Sequence, residues 1–251
     1  FSKFSMSTVL GAIGQMFYSM SLAMGIMITY GSYMQRENIL EHSVTQIEVF
    51  DTLFAFVAGL MIIPPVVAFN GGDPSQINNG PGLMFITLPM VFESMPFGEI
   101  VGAVFFLLVL FAALTSSISL METIVSVVMD KTPLGRKHAT LIVTIAVLLI
   151  GMLSCLGYGP LGAVKIIGMQ FLDFFDFLSN SVLMPIVAFL TCILIGHVVG
   201  TRVISDEVTQ NGAAFHREKL HRVMIRWVAP VLLVAILVSE LLTKVFGVFT
   251  I

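Results

Sequence analysis

Residues 11–34 read GAIGQMFYSMSLAMGIMITYGSYM, an apolar run with Gln15, Ser19 and Ser21 near its middle and Gly14, Gly25 and Gly31 along it. About 20 apolar residues suffice for an α-helix to cross the hydrocarbon of a bilayer. Polar groups at that depth are costly and usually face a bundle interior or a water-filled cavity. Two readings of the stretch stand side by side. Its small residues suit a plain helix-packing face. Alternatively Ser19–Gly25 unwinds at mid-membrane, freeing backbone carbonyls for a cation or an ammonium group.

The surroundings of this run are of the same kind. Hydrophobic residues make up 57% of the 251 and charged residues 11%, with a mean hydropathy of +1.00. A soluble domain carries about 25% charged residues, so this chain has too few to cover a water-facing surface. The apolar blocks predict an all-α membrane protein of six transmembrane helices, at 8–34, 47–69, 100–129, 138–157, 172–199 and 224–246. Cys155 and Cys192 sit inside apolar blocks and form no disulfide framework or metal spacing; they read as packing residues. The chain opens Phe1-Ser2-Lys3-Phe4 without an initiator Met or signal peptide, and reads as cut from something longer.

Positive charge orients the helices. Arg36 follows the first; Lys131, Arg136 and Lys137 follow the third; Arg202, Arg217, Lys219, Arg222 and Arg226 lie between the fifth and sixth. The connections on the opposite side hold only Lys165, and Asn70–Glu99 has no Lys or Arg. Excess Lys and Arg marks the cytoplasmic side. Residues 1–7 are therefore expected outside the cell, in a multi-pass protein of the cell (inner) membrane. The turn-rich stretch Asn70–Gly82 leads into LMFITLPMVFESMPF (83–97), broken by Pro89 and Pro96. Those prolines argue against a continuous span, so 70–97 reads as a bent extracellular lid. Thr201–Arg222 reads as a short cytoplasmic helix plus linker. Topology accounts for the basic residues, and nothing signals nucleic-acid binding.

Two further groups carry chemistry. In the third helix Thr115 and Ser119 are four apart, as are Ala112 and Ser116, which lines one helical face with oxygen. Neutral hydroxyls and a carbonyl suit a small monovalent cation, unless each hydroxyl bonds back to its own helix. The carboxylates are the other group. Asp173 and Asp176 precede the core of the fifth helix, and Asp130 closes the third. Asp51 and Glu122 read as embedded without a basic neighbour in sequence, and their partners are expected elsewhere.

Together, AIGQMFYSMSLAMGIMITYGSYM (12–34), FITLPMVF (85–92), LFAALTSSISLMETIVSVVMD (110–130) and Asp176 resemble the neurotransmitter:sodium symporter family. The resemblance implies helices six through eleven of an inverted-repeat sodium symporter fold, with a discontinuous first helix and the amino-terminal five helices absent. This fold is itself a standard example of inverted repeats with broken helices at the binding site. The resemblance implies that Ser19 and Asp51 are ligands of a first sodium site, and the Ala112 carbonyl with the Thr115 and Ser116 hydroxyls of a second. Tyr18, Ser19, Ser21, Leu22, Ala23, Met24, Ser117 and Leu120 would line the substrate site. Asp176 would close the outer gate with Tyr18, and Asp130, Ser32, Tyr33 and Glu122 would form the inner gate. Arginines from the missing amino-terminal helices would pair with Asp176 and Asp130.

One departure from the family pattern is informative. Chloride-dependent members carry serine where Ala55 stands and asparagine where Asp51 stands. A fixed carboxylate beside two cations could replace a mobile anion across a low-dielectric site, so chloride is not expected to be required. Tyr18, Met24 and Leu120 favour a large hydrophobic or aromatic amino acid. The implied activity is sodium-coupled symport by alternating access. The rival readings are a membrane channel and an intramembrane enzyme. No membrane-embedded histidine accompanies Ser116, and Asp173 and Asp176 share one helix end, so an enzyme is not expected.

Overall fold

The computed structural model describes residues 6–35, 37–69, 71, 80–210 and 212–244. The described residues form nine helices: α1 (Met6–Ser19), α2 (Ile26–Tyr33), α3 (Leu40–Phe69), α4 (Leu83–Glu93), α5 (Gly98–Lys131), α6 (Arg136–Gly157), α7 (Phe171–Val199), α8 (Arg202–Val208) and α9 (Glu218–Lys244). Five of them, α3, α5, α6, α7 and α9, are long and apolar enough to cross a membrane. Their most apolar windows are only 6% to 22% buried within the protein. Apolar surface of that extent is stable in lipid and not in water. The protein is an all-helical, multi-pass membrane protein.

Two helix starts lie earlier than the sequence pattern suggested. α3 begins at Leu40 rather than 47, and α9 at Glu218 rather than 224. The added turns carry Glu41, His42 and Arg222; charge there set the edge of the apolar block without stopping the helix. Arg36 and most of the loop 70–82 lie outside the described residues, as do residues 245 and 246.

The chain divides into two compact units, Phe1–Val44 with Leu120–Ile251, and Thr45–Ser119. In the second unit, Val66 of α3 and Leu88 and Val91 of α4 form a buried cluster with Phe92 and Phe105 against it. Phe105 meets both Phe92 and Phe106 at 5.3 Å between ring centroids. α4 is thereby fixed within this unit through aromatic contacts. In the first unit Val125, Ala139 and Val143 join α5 to α6. Leu233 and Ile236 of α9 are buried, as are Met184 and Ala188 of α7. Gly14 of α1 faces Ile236 of α9, at a distance where an added Cβ would make ordinary contact at 3.9 Å.

Prolines shape three of the helices in one way. Leu88, Met184 and Ala229 each donate their N–H five residues back, to Leu83, Ser179 and Met224. Each of the three immediately precedes a proline: Pro89, Pro185 or Pro230. A proline has no N–H for the carbonyl four residues back, and its ring collides with that carbonyl. The one-residue widening of a π-helical turn moves the carbonyl aside. Pro64 and Pro65 lie inside α3 without such a turn.

Candidate functional site

Helical geometry stops at the polar centre of the first apolar run. α1 ends at Ser19 and α2 begins at Ile26. Between them Ser21, Ala23 and Gly25 have φ of 54°, 61° and 81°. Left-handed backbone costs an L-residue roughly 1–2 kcal/mol, so at Ser21 and Ala23 the surroundings impose it. The Ser21 N–H turns back to the Tyr18 carbonyl and that of Leu22 to Phe17, each at 3.0 Å. At Gly25 a Cβ would stand 3.0 Å from Thr123 Cγ2, so glycine seats the restart of the helix against α5. The break places Ser21, Leu22, Ala23 and Met24 on one short non-helical stretch that follows Tyr18 and Ser19, the last two residues of α1.

On α5, in the second unit, the hydroxyls divide. Thr115 donates to the Ala112 carbonyl at 2.9 Å, Ser117 to that of Leu114 at 2.8 Å, and Ser119 to that of Thr115 at 3.1 Å. Back-bonding to the helix is therefore the state of three of them. Ser116 makes no such bond among the described residues. The Thr115 and Ser116 oxygens and the Ala112 carbonyl share one stretch of helix, with Thr115 and Ser116 exposed. Asp51, half-buried on α3, belongs to the same unit. Ser117 does too, whereas Ser19 and Leu120 belong to the first.

Of Ser32, Tyr33, Glu122 and Asp130, the structure brings Tyr33 and Glu122 together. The Tyr33 hydroxyl donates to Glu122 Oε1 at 2.7 Å and lies 2.9 Å from Ser126 Oγ. Glu122 Oε2 accepts from Arg136 at 2.6 Å. This corrects the expectation that Glu122 finds its partner elsewhere: the short turn between α5 and α6 folds Arg136 back over it. Ser32 is not part of this cluster; its hydroxyl donates to its own helix at Thr29. Asp130 is exposed in the last turns of α5 and has no partner among the described residues. Arg136 is 63% exposed while Glu122 is 18% exposed, so solvent screens the ion pair and the phenol carries more of the coupling. A double-mutant cycle of Tyr33→Phe and Glu122→Gln, read by thermal unfolding in detergent, should give a coupling of about 1–2 kcal/mol. Strict additivity would show that the contact contributes nothing.

At the other end, Tyr18 and Asp176 line one cavity of about 260 Å³ with Asn180, Glu240 and Lys244. Asn180 Nδ2 donates to Asp176 Oδ1 at 2.6 Å. Ser181, 6% exposed, donates to Glu240 Oε2 at 3.0 Å. Lys244 reaches Glu240 at 3.5 Å and the Ser181 hydroxyl at 3.3 Å. Sequence reasoning missed this cluster. The available signal was Glu240 and Lys244 spaced i, i+4 in Ala229–Lys244, a stretch of α9 with no other charged residue, where ionisable residues are rare.

The sequence profile of the sodium:neurotransmitter symporter family matches residues 1–247. The chain belongs to that family. An uncharacterized sodium-dependent transporter of Bacillus subtilis is 35% identical over 195 residues, 78% of this chain and 42% of that protein. One from Haemophilus influenzae is 31% identical over 242 residues, 96% of this chain and 52% of that protein. The crystal structure of MhsT in complex with L-phenylalanine is similar with a TM-score of 0.80 and 37% identity, covering 92% of this chain and 51% of that one. The chain thus spans about half the length of the relatives it matches. The symporter family and these relatives are transporters and not enzymes, in line with the sequence reading. Within this chain, the helix break and the α5 oxygens coincide with the stretches that carried the family resemblance.

Proposed function

We propose that the protein carries out sodium-coupled symport of an amino acid, large hydrophobic or aromatic, by alternating access. The observation that carries this reading is the break between Ser19 and Ile26, at the centre of an apolar run. Non-helical backbone at membrane depth is tolerated where it lines a cavity or is buried in protein. Its polar groups there can receive an ammonium group, and Tyr18, Leu22, Met24 and Leu120 supply an apolar and adaptable lining. The similarity to a transporter crystallised with L-phenylalanine supports the same solute class.

In this reading α1 and α2 are the two halves of one interrupted crossing, the first of six. They correspond to helix six of the family fold, and α9 to helix eleven. The positive-charge pattern puts α4 outside as part of a lid, in the inner membrane of the cell. The Ala112 carbonyl and the Thr115 and Ser116 hydroxyls hold one sodium ion. Ser19 and Asp51 are the candidates for sodium coordination outside α5, which gives two ions in all. The Asp51 carboxylate makes chloride dispensable. Tyr18 with Asp176 serves the outer gate, and Tyr33, Glu122, Ser32 and Asp130 the inner. Segments equivalent to the remaining length of the relatives would complete these sites, including arginines for Asp176 and Asp130.

Proteoliposomes holding the full-length protein test the reading. An inward sodium gradient should drive concentrative uptake of labelled phenylalanine, with tryptophan, tyrosine or leucine competing. Replacing chloride by gluconate should leave the rate unchanged. A channel would equilibrate the solute without concentrating it, and would discard symport. Failure of all three competitors would discard the substrate class alone, and collapse of uptake in gluconate the role given to Asp51.

A further inference from the structure

The end of α7 holds a second cavity that the transport reading does not use. The chain leaves α7 through Gly200, with φ of 90°, and α8 starts at Arg202. Between these ends and the start of α9 lies a cavity of about 530 Å³ whose walls include Thr201, Arg202, Ser205, Asp206, Arg222 and Arg226. Each arginine is held differently. Arg222 is committed to Glu218 at 2.7 Å, a carboxylate that also accepts from Ser205 at 3.1 Å. Arg226 donates Nε to the Gly196 carbonyl at 2.9 Å. Gly196 permits this approach, since a Cβ there would lie 3.4 Å from Arg226 Cγ. Among the described residues, neither Arg226 nor Arg202 has a carboxylate partner, and Asp206 has no cation partner. Two uncommitted cations against one uncommitted carboxylate leave the cavity with one net positive charge.

A neutral donor joins the two cations. Thr201 is 3% exposed and lines this cavity, and its hydroxyl makes no hydrogen bond to any described residue. The level of the cavity is marked as well. Trp227, next to Arg226, is 68% exposed, and its ring meets His197 edge-on at 6.1 Å between centroids. Tryptophan concentrates at the membrane–water interface. Val198, on the α7 turn beside His197, is 72% exposed and presents apolar surface. This is also the end of the helices that carries the Lys and Arg excess.

We propose that this cavity binds the phosphodiester headgroup of an anionic glycerophospholipid. Arg202 and Arg226 supply guanidinium forks that match phosphate oxygens, and Thr201 donates its hydroxyl. A phosphodiester brings one negative charge, which balances the cavity; a doubly charged phosphomonoester would overshoot it. The acyl chains run along the apolar surface at Val198 and Trp227. Basic recesses between helices at the cytoplasmic level are suited to such headgroups. The inference requires only that the helices cross a membrane, and it holds for any solute transported.

Native mass spectrometry of the delipidated, full-length protein tests it with three separate probes: phosphatidylglycerol, phosphatidylcholine and inorganic phosphate. Phosphatidylglycerol should be retained about tenfold more than phosphatidylcholine, and inorganic phosphate not at all. Arg202→Gln should lower that retention by about tenfold, the effect of losing one hydrogen bond to a charged group. Thr201→Val, which keeps the side-chain shape, should lower it in the same direction. Neither change should alter sodium-driven uptake in proteoliposomes by more than about twofold. Equal retention of the two lipids, or wild-type retention by both variants, would overturn the proposal. So would binding of inorganic phosphate that depends on Arg202, because the ligand would then be a soluble anion.

Discussion

Gly98→Ala is expected to destabilise the protein by about 3 kcal/mol or more, a size reached when overpacking meets backbone rather than a yielding side chain. Gly98 opens α5 directly after the reversal that ends α4. There the Met95 N–H donates to the Phe92 carbonyl at 3.0 Å, and Phe97 takes a φ of 59°. A Cβ on Gly98 would overlap the Phe92 carbonyl oxygen and stand 2.6 Å from its carbonyl carbon. The hit group is backbone, so no rotamer change relieves it. Phe92 is also the centre of the aromatic contacts with Phe105 and Phe106. Opening the turn therefore disturbs the packing of α4 against α5. Thermal unfolding in detergent should show a midpoint about 6 °C lower or more. Gly151→Ala, with nothing within 4 Å of the added Cβ, should stay close to the parent. Equal midpoints for Gly98→Ala and the parent would show that the turn yields freely.

Thr115→Val combined with Ser116→Ala is expected to raise the half-saturating sodium concentration for uptake by about a hundredfold or more. At the proposed sodium site each change would remove one oxygen ligand from the cation, and a bond to a charged group contributes roughly 1.5–3 kcal/mol. The decisive readout is a thermal shift. Sodium should stabilise the parent and not the double variant, while both melt alike in potassium. The fold provides for that outcome, because the hydroxyls support their helix only lightly. Thr115 bonds within its own turn, and Ser116 is bonded to no described residue. A sodium shift preserved in the double variant would remove the second sodium site from α5.

The bilayer makes part of this protein legible without coordinates. Helix length and apolar run are local properties, fixed by hydrocarbon thickness and by the cost of unpaired backbone in lipid. The spans over 100–129, 138–157 and 172–199 accordingly coincide with α5, α6 and α7 to within two residues at each end. Boundaries failed where a helix continues into water. At Leu40 and Glu218 the apolar signal stops but the hydrogen-bonding pattern does not. Polar residues concentrated at 15–21 and 112–119 also mark the regions that carry the family resemblance, because lipid leaves so few polar residues unexplained.

Pairing between distant residues has no such local signature. The sequence left Glu122 without a partner, and only the packing of α6 and α2 against α5 gave it Arg136 and Tyr33. Nothing at Ser181 foretells that it accepts from Lys244 and donates to Glu240, 59 residues away in the chain. Nor could the run 11–34 by itself reveal that the chain would leave helical geometry at Ser19. A packing face and a break use the same small residues, and positive φ at Ser21 and Ala23 persists only where contacts around it exceed its cost. Hydrophobic length thus determined what crosses the membrane, while the meeting of side chains far apart in sequence was decided by three-dimensional packing, since contact energy depends on distance in space and not along the chain.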